Sequence, residues 1–328
     1  MEAGRSLLVG IDLCDDMAQI SYYDKKIYEP VPVGIPVGDK YIYEIPSALL
    51  VNPNTNEWLW KTKENMQLGG YTLISNLLSK IKKSEKFQEG SYIFKTKDVV
   101  KKFMVKLLSL LNEHFPNETI LKLVITIPER ENVIVDLLKN ILAELGIRND
   151  RLVILGHKQS YMYYALSQKK ELWLSDVALF EFGRDGLFYS QIHIDRRNIP
   201  YIVGVKRMDL SQSLNWDMME HDSSFKMEYA FVNLANTQMH KQMISTIYVT
   251  GEGFQGEWAN TALSQLCNGR RVFRGGNLFT KGACIAAREL AGEGVMGDFL
   301  FLDQEMLHTS ISLRVYCDAR MQEVLLVK

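Results

Sequence analysis

The chain has 328 residues, of which 47% are hydrophobic and 23% are charged, and its formal net charge at pH 7 is -1. This composition is typical of a globular protein with one large or two ordinary domains, and it argues against long disordered stretches. The balanced charge provides no overall field for nucleic acid, and no segment reaches the roughly 20 apolar residues of a membrane span, so we predict neither a nucleic-acid partner nor a membrane span.

The cysteines favour a reducing compartment. Cys14, Cys267, Cys284 and Cys317 are scattered without a C-x-x-C pair, which is typical of reduced thiols rather than of a disulfide framework. The apolar run near the N-terminus is too short for the core of a signal peptide. We therefore predict a cytoplasmic protein.

The first half of the chain opens with a strand-turn-strand unit from Leu7 to Tyr23, whose turn contains Asp12 and the acidic pair Asp15 and Asp16. A meander of strands follows as far as Val51. The later predicted elements are a helix over Leu73 to Ile81, a helix from Thr96 to about His114, a buried strand Leu121 to Ile127, a helix Asn132 to Leu145, a buried strand Leu152 to Leu155 and a helix Ser160 to Ser167.

The second half repeats this order. Its predicted elements are a hairpin system Val177 to Val205 with a turn at Glu181 to Gly186, a helix around Phe231 to Ile244, a strand Ile247 to Thr250, a glycine loop, helices Glu257 to Leu266 and Thr280 to Leu290, and strands from Asp298 to Lys328. The repetition indicates an internal duplication. Two such turns facing each other would form a phosphate-sized site. The final apolar strand leads us to expect that the native chain continues past Lys328.

Three motifs in this order resemble the actin, DnaK-type chaperone and sugar-kinase superfamily. Gly10-Ile11-Asp12-Leu13 is similar to the first phosphate loop, Ile45-Pro46-Ser47 to a strand opening of the chaperones, and Val124-Ile125-Thr126-Ile127-Pro128 to their first connecting element. The resemblance implies a divergent, bacterial-type member with an α/β fold. That fold is duplicated and two-lobed, each lobe being a mixed five-stranded, ribonuclease H-like sheet with flanking helices, and C-terminal antiparallel strands follow.

The implied divisions are an N-terminal lobe over residues 1–172, a C-terminal lobe over residues 173–297 and a β-rich extension over residues 298–328. The resemblance also implies ATP or ADP with Mg2+ as the ligand, with Asp12 and Glu181 at the metal. The implied nucleotide-binding residues are Gly10, Asp12, Cys14 and Asp15 in the first loop, Gly183, Arg184 and Gly186 in the second, and Gly251, Glu252 and Gly253 in the adenosine loop.

The first loop departs from the family pattern. Where the chaperones have a glycine and two threonines, this chain has Cys14, Asp15 and Asp16. A carboxylate about 4 Å from a phosphate oxygen costs about 1 kcal/mol in water and about 4 kcal/mol at the effective dielectric of a cleft. The aspartates are either Mg2+ ligands, directly or through water, or ordinary turn residues. Arg184 in the second loop is either a phosphate partner or a solvated hairpin tip.

The resemblance to actins places Gln159 as the residue that orients the attacking water, and His157 takes that place if the register slips. The alternative is that this polar helix start serves as a cap. The segment from Met208 to Ile247 is short compared with the chaperones, which predicts a more open pocket for the base.

Two functions remain open. In the first, the chain binds ATP weakly, hydrolyses it slowly in a Mg2+-dependent reaction or not at all, and acts as a conformational switch that an unidentified protein partner reads. In the second, it is a nucleotide-free pseudo-ATPase scaffold for protein assembly. A small-molecule kinase is the weakest alternative, because no aspartate stands out as a general base.

Overall fold

The computed structural model describes residues 6–302, 311–317 and 320–327. The strands are β1 Ser6–Leu13, β2 Met17–Asp24, β3 Glu29–Val33, β4 Ile35–Val37, β5 Lys40–Ile42, β6 Ile45–Pro46, β7 Leu49–Asn52, β8 Glu57–Trp60, β9 Thr72–Ile74, β10 Lys86–Glu89, β11 Tyr92–Lys95, β12 Thr119–Ile127, β13 Leu152–Gly156, β14 Asp176–Gly183, β15 Gly186–Asp195, β16 Tyr201–Asp209, β17 Ile244–Thr250, β18 Arg271–Arg274, β19 Phe299–Phe301, β20 Ile311–Cys317 and β21 Arg320–Val327. The α-helices are α1 Leu77–Lys83, α2 Thr96–His114, α3 Asn132–Glu144, α4 His157–Ser167, α5 Trp216–His221, α6 Ser224–Gln238, α7 Glu257–Leu266 and α8 Leu278–Leu290. Single 3-10 turns cover Asn65–Gln67, Asn149–Arg151, Lys170–Leu172 and Glu252–Gln255.

The first sheet has the strand order β13-β12-β1-β2-β3, with β6 paired to β2. Strands β13, β12 and β1 are parallel, β2 runs antiparallel to β1, and β3 runs antiparallel to β2. The apolar runs of β1 and β12 explain their central place, because a strand covered on both faces needs apolar residues at successive positions. Val9, Ile11, Val124 and Ile125 are all fully buried.

The second sheet has the order β18-β17-β14-β15-β16-β19. Strands β18, β17 and β14 are parallel, and β15 and β16 are antiparallel, so the first five strands repeat the order and the directions of the first sheet. The short strand β19 extends this sheet by pairing parallel to β16. The predicted mixed α/β class is confirmed, and the two sheets account for the repeated sequence pattern.

Helices cover both faces of the two sheets. Helices α1, α2 and α3 form the main core with one face of the first sheet, and α6 and α7 do the same for the second sheet. Helices α4 and α8 lie between the sheets: α8 packs on β1 and β12, and α4 and α8 share a core with the second sheet. The resulting order of layers places the starts of α4 and α8 in the centre of the molecule.

Two glycines allow the central elements to approach closely. A Cβ on Gly282 of α8 would lie 2.0 Å from the carbonyl oxygen of Ser160 in α4, and a Cβ on Gly10 of β1 would lie 2.3 Å from the amide nitrogen of Cys284 in α8. Both neighbours are backbone atoms, which cannot rotate away. The position of α8 against α4 and β1 therefore depends on residues without a side chain.

Several predicted boundaries differ from the structure. The segment predicted as one helix over Leu73 to Ile81 contains the end of β9 and most of α1. The helix predicted around Phe231 to Ile244 ends earlier, at Gln238, and Ile244 is instead the first residue of β17. Helix α4 begins at His157, three residues earlier than predicted. Helices α2, α3, α7 and α8 agree with prediction within two residues.

The predicted C-terminal extension consists of two different parts. Its first strand, β19, belongs to the second sheet, whereas β20 and β21 form a separate antiparallel hairpin. Residues 1–5, 303–310, 318–319 and 328 lie outside the described residues, and with them part of the predicted extension, including Lys328. Within the described residues, no helix has both the length and the apolar character needed to cross a bilayer.

Candidate functional site

Each of the two predicted turns has two residues at its tip. In the first, Cys14 donates its amide N–H to the carbonyl of Met17, which leaves Asp15 and Asp16 as the two turn residues. In the second, Gly183 pairs with Gly186, and Arg184 and Asp185 are the turn residues.

The strand residues before the turns correspond as well. Asp12 pairs with Gln19 and with Thr126 across its two neighbouring strands. Glu181 pairs with Phe188 and Thr250 at the matching positions of the second sheet. Asp12 and Glu181 are thus the same position of the repeated unit, one in each half.

His157 lies between these two carboxylates. Its Nε2 is 2.9 Å from Asp12 Oδ1, and its Nδ1 is 3.6 Å from Glu181 Oε1. The ring stacks on Phe279 of α8, with 3.7 Å between the ring centroids and an interplanar angle of 14°. His157 follows β13 directly as the first residue of α4, so both its backbone and its ring are held in place.

Burial and charge act in opposite directions on His157. Burial alone lowers its pKa, but the carboxylates of Asp12 and then Glu181 outweigh this effect and raise the pKa to about 9. Both ring nitrogens are therefore protonated at neutral pH, with Nε2–H donating to Asp12 and Nδ1–H facing Glu181. The exposed fractions of the Asp12 and His157 side chains are 3% and 6%, so this interaction is shielded from solvent.

Cys14 is the third member of this cluster. Its Sγ is 3.6 Å from Asp12 Oδ1 and 3.7 Å from His157 Nε2. One donor atom from each of the three residues lies within 4.8 Å of the others. Burial, followed by the negative charges of Asp12 and Asp16, raises the pKa of the Cys14 thiol well above its usual range.

Arg207 of β16 neutralises Glu181. Its Nη1 is 3.3 Å from Glu181 Oε2, its Nε is 4.0 Å from Glu129, and its guanidinium lies 4.6 Å from the centre of the Phe188 ring. The two side chains of the Arg207–Glu181 pair are 13% and 14% exposed. A mostly buried ion pair of this kind orients Glu181 toward the central histidine.

The acidic residues of the first turn have structural partners. Asp15 accepts hydrogen bonds from the Ser79 amide at 2.9 Å and the Ser79 hydroxyl at 2.5 Å, which fixes the turn to α1. Asp16 accepts from the amide of Met17 at 2.8 Å. Burial raises the pKa of Asp16, and its own backbone hydrogen bonds oppose this effect, while Asp12 and Asp185 raise the pKa further. The effect of Asp185 on the pKa of Asp16 indicates that the two turns lie near each other.

The second turn is more exposed. The guanidinium of Arg184 lies 5.1 Å from the Trp216 ring, its Nε is 3.7 Å from Glu252 Oε2, and its side chain is 68% exposed. Gly186 has a φ of +108°, and a Cβ there would lie 2.3 Å from Ser211. At Gly183 a Cβ would meet no atom within 4 Å.

The predicted adenosine loop packs on the second hairpin. Gly251 has a φ of +103°, and a Cβ there would lie 2.3 Å from the carbonyl oxygen of Phe182. A Cβ on Gly253 would lie 2.4 Å from the Phe182 ring. Phe182 also contacts Phe254 in an edge-on arrangement. The two glycines of this loop therefore have a packing role, and Glu252 is the exposed member that faces Arg184.

Gln159 has a partner at the start of its own helix. Its Oε1 accepts a hydrogen bond of 2.7 Å from the amide of Gly156. This contact agrees with the capping alternative of the sequence analysis. Gly10 faces α8 rather than the turn, because its missing side chain makes room for Cys284.

The structure therefore brings Asp12, Cys14 and Glu181 together around His157. The sequence offered His157 only as a neighbour of Gln159, and it offered no signal for Arg207, which lies in β16 between the exposed Lys206 and the half-buried Met208. A prediction that began α4 at His157 rather than at Ser160 would have placed this histidine directly after the parallel strand β13. The contacts with Arg207 and Phe279 depend on the tertiary structure.

Two cavities lie outside this central cluster. One, of about 240 Å³, is lined by β2, the Tyr43–Glu44 segment and the start of α8, including Gln19, Thr280 and Lys281. The other, of about 740 Å³, is an open groove around Met243–Ser245 and Cys267–Arg271. It lies at the start of β14 and β17, which is the opposite end of the second sheet from the turns.

Comparison with known proteins identifies the family. The chain belongs to the family described as "Family of unknown function (DUF5716) C-terminal", whose model matches residues 32–304. No match is found among the curated proteins. The matched region includes His157, Glu181 and Arg207, and it begins after Asp12 and Cys14.

Proposed function

We propose that this chain has a duplicated, actin-like fold and acts as a nucleotide-free scaffold for protein assembly. The observation that carries the proposal is the position of the His157 ring, which lies between Asp12 and Glu181 and contacts both. In a nucleotide cleft, the space between the two phosphate hairpins has to be open for phosphates and metal. Here a buried side chain occupies it.

The actin-like assignment is supported by topology. The two sheets share the strand order and directions of their first five strands, and each half has a hairpin with a two-residue turn at the same place. Helices α4 and α8 follow the last parallel strand of each sheet and cross at Ser160 and Gly282. All three features are explained by a duplicated unit in which the last helix of each half, α4 or α8, packs against the sheet of the other half.

The charges around the turns argue against phosphate binding. Asp12, Asp16, Glu181 and Asp185 lie close enough to influence one another or His157. At the effective dielectric of a cleft, each carboxylate about 4 Å from a phosphate oxygen would cost about 4 kcal/mol. The buried cations already serve carboxylates, His157 for Asp12 and Arg207 for Glu181.

A protein partner is supported by exposed apolar side chains on the hairpin β20–β21. By the register of the hairpin Tyr316, Met321 and Leu325 share one face, and each is more than half exposed. Clustered exposed apolar residues are typical of surfaces that bind other proteins. This hairpin is distinct from the two sheets, so binding there would not require any change at the central cluster.

A second candidate function is the nucleotide switch, with weak Mg2+-dependent ATP binding and slow or absent hydrolysis. The observation in its favour is that the second turn and the Gly251–Gly253 loop lie together, as the packing of that loop on Phe182 and the contact between Arg184 and Glu252 indicate. In this alternative Arg184 would approach the phosphates, and His157 would move aside.

Calorimetric titration of the whole chain with ATP and ADP in the presence of Mg2+ distinguishes the two functions. The scaffold predicts no binding heat up to millimolar nucleotide for the wild type. Micromolar, Mg2+-dependent binding that Asp12→Ala abolishes would overturn the scaffold and establish the switch. Asp136→Ala is the matched control, because Asp136 is an exposed carboxylate on α3, away from the turns.

A further inference from the structure

We infer that Asp12, Cys14 and His157 form a binding site for a divalent ion of the zinc class. The site combines one carboxylate oxygen, one sulfur and one imidazole nitrogen, all within 4.8 Å of one another. The inference concerns the same central cluster as the proposed function, but it does not depend on whether nucleotide binds.

The donor types select the metal. Mg2+ prefers hard oxygen ligands in an octahedral arrangement, whereas thiolate and imidazole favour zinc and related transition ions. Glu181, which the sequence paired with Asp12 as a Mg2+ ligand, lies on the other side of the His157 ring and is 3.3 Å from Arg207. The donor atoms of Asp12, Cys14 and His157 therefore suit zinc better than Mg2+.

The distances between the donor atoms match a tetrahedral ion. Zinc bond lengths of about 2.3 Å to sulfur, 2.0–2.1 Å to nitrogen and 2.0–2.2 Å to oxygen imply separations of about 3.6 Å from sulfur to the other two ligands and about 3.4 Å between nitrogen and oxygen. The observed sulfur separations are 3.6 Å to Asp12 and 3.7 Å to His157. The contact of 2.9 Å between His157 Nε2 and Asp12 Oδ1 would have to lengthen by about 0.5 Å, and the protons on His157 Nε2 and on the Cys14 sulfur would be released to solvent as the ion binds.

The surroundings hold the ligands in place. The face of the His157 ring stacks on Phe279, and its Nδ1 faces Glu181, which is in turn paired with Arg207. A carboxylate behind the second nitrogen of a metal-binding histidine is a common outer partner, because it fixes the ring and increases its basicity. Glu181 is therefore a positioning residue for this site.

In the proposed site, a bound water completes the ligands of the ion. Thr126 pairs with Asp12 across β12 and β1, and its buried hydroxyl has no hydrogen-bond partner among the described residues. Leaving a buried polar group unsatisfied typically costs about 1–3 kcal/mol. A metal-bound water next to Asp12 would offer this hydroxyl a partner. Three protein ligands and one exchangeable position make a site that is not closed by protein alone.

The test uses the whole chain, stripped of metal and then titrated with Zn2+ or Co2+ in the absence of nucleotide. We expect one equivalent to bind per chain, with the cobalt–thiolate absorption of a cysteine ligand. This absorption is measured on the wild type, so it does not depend on any variant being folded. The absence of both zinc binding and this absorption would overturn the inference.

Matched variants locate the ion. Cys14→Ser should lose the cobalt–thiolate absorption, whereas Cys267→Ser, which changes an exposed thiol, should retain it. His157→Ala should weaken zinc binding by more than the roughly 10–100-fold expected for Glu181→Gln. His193→Ala is its control, because that side chain is 72% exposed. Absorption that survives Cys14→Ser or disappears in Cys267→Ser would show adventitious binding elsewhere and overturn the site.

The result is separable from the nucleotide experiment. Zinc binding is measured without nucleotide and depends on Cys14 and His157, while the nucleotide titration contains Mg2+ and depends on Asp12. A chain that binds neither zinc nor nucleotide would contradict the metal site and leave the scaffold intact. A chain that binds both zinc and nucleotide would support the metal site and contradict the scaffold.

Discussion

The hairpins β1–β2 and β14–β15 occupy the same place in their sheets and have turns of the same length, but their surroundings differ. The first, with Asp12 before its turn, is tied into the protein: Asp15 bonds to Ser79, and Asp12 bonds to His157. The second, with Glu181 before its turn, carries the exposed Arg184 at its tip. The comparison teaches that hairpins at the same place in two sheets can diverge, one turn being bonded to a neighbouring helix and the other remaining exposed.

The largest expected difference between the hairpins concerns the carboxylates before the turns. In metal-free protein, Asp12→Asn should lower the free energy of unfolding by about 3 kcal/mol, because it removes the nearer partner of a buried histidine. Glu181→Gln should cost less, about 1–2 kcal/mol, since Glu181 is farther from His157 and is partly solvated. Urea denaturation of both variants in chelator measures the difference. Equal losses would show that the histidine depends on both carboxylates alike.

A second difference concerns glycines of the two hairpins. Gly10→Ala should lower the free energy of unfolding by about 2–3 kcal/mol, because the added Cβ would lie 2.3 Å from the backbone of α8. Gly183→Ala is the same substitution at a different position of the second hairpin, where a Cβ meets nothing within 4 Å, and it should change stability by less than about 0.5 kcal/mol. Thermal unfolding of the two variants provides the measurement. A tolerated Gly10→Ala would mean that α8 is free to shift away from β1.

The smallest expected difference concerns the turn residues at the same position. Asp15→Ala should cost about 1–2 kcal/mol, because both of its hydrogen bonds to Ser79 are lost. Arg184→Ala should cost no more than about 0.5 kcal/mol, since its pair with Glu252 is solvated. The midpoints of denaturant unfolding compare the two variants. A larger loss for Arg184→Ala would reverse the assignment of buried and accessible hairpins.

Most of the fold was predictable from the sequence because the signals for its elements are local. The amphipathic pattern of α2 and the continuous apolar run of β12 predict a helix on a sheet and a strand buried on both faces. Errors occurred where local signals overlap. The apolar residues over 73–81 fit one helix, but the chain uses them first for β9 and then for α1.

The candidate site was predictable only in part. Asp12 and Cys14 stand in a recognisable hairpin, and Glu181 stands in its repeat, so the sequence could nominate them. The same sequence could not decide whether Asp15 faces a ligand or a neighbouring helix, because aspartate suits both environments. The bonds to Ser79, which lies 64 residues away, decide this in the structure.

The sequence by itself therefore determined the repeated order of strands and helices, since periodic burial of apolar residues is written in consecutive positions. The tertiary structure alone decided what occupies the centre of the molecule. His157 meets Asp12 across 145 residues of chain, Phe279 covers its ring, and Arg207 neutralises Glu181 behind it. These contacts follow from how α4 and α8 pass between the sheets, and the energies of buried charges depend on such long-range packing rather than on the residues beside them in sequence.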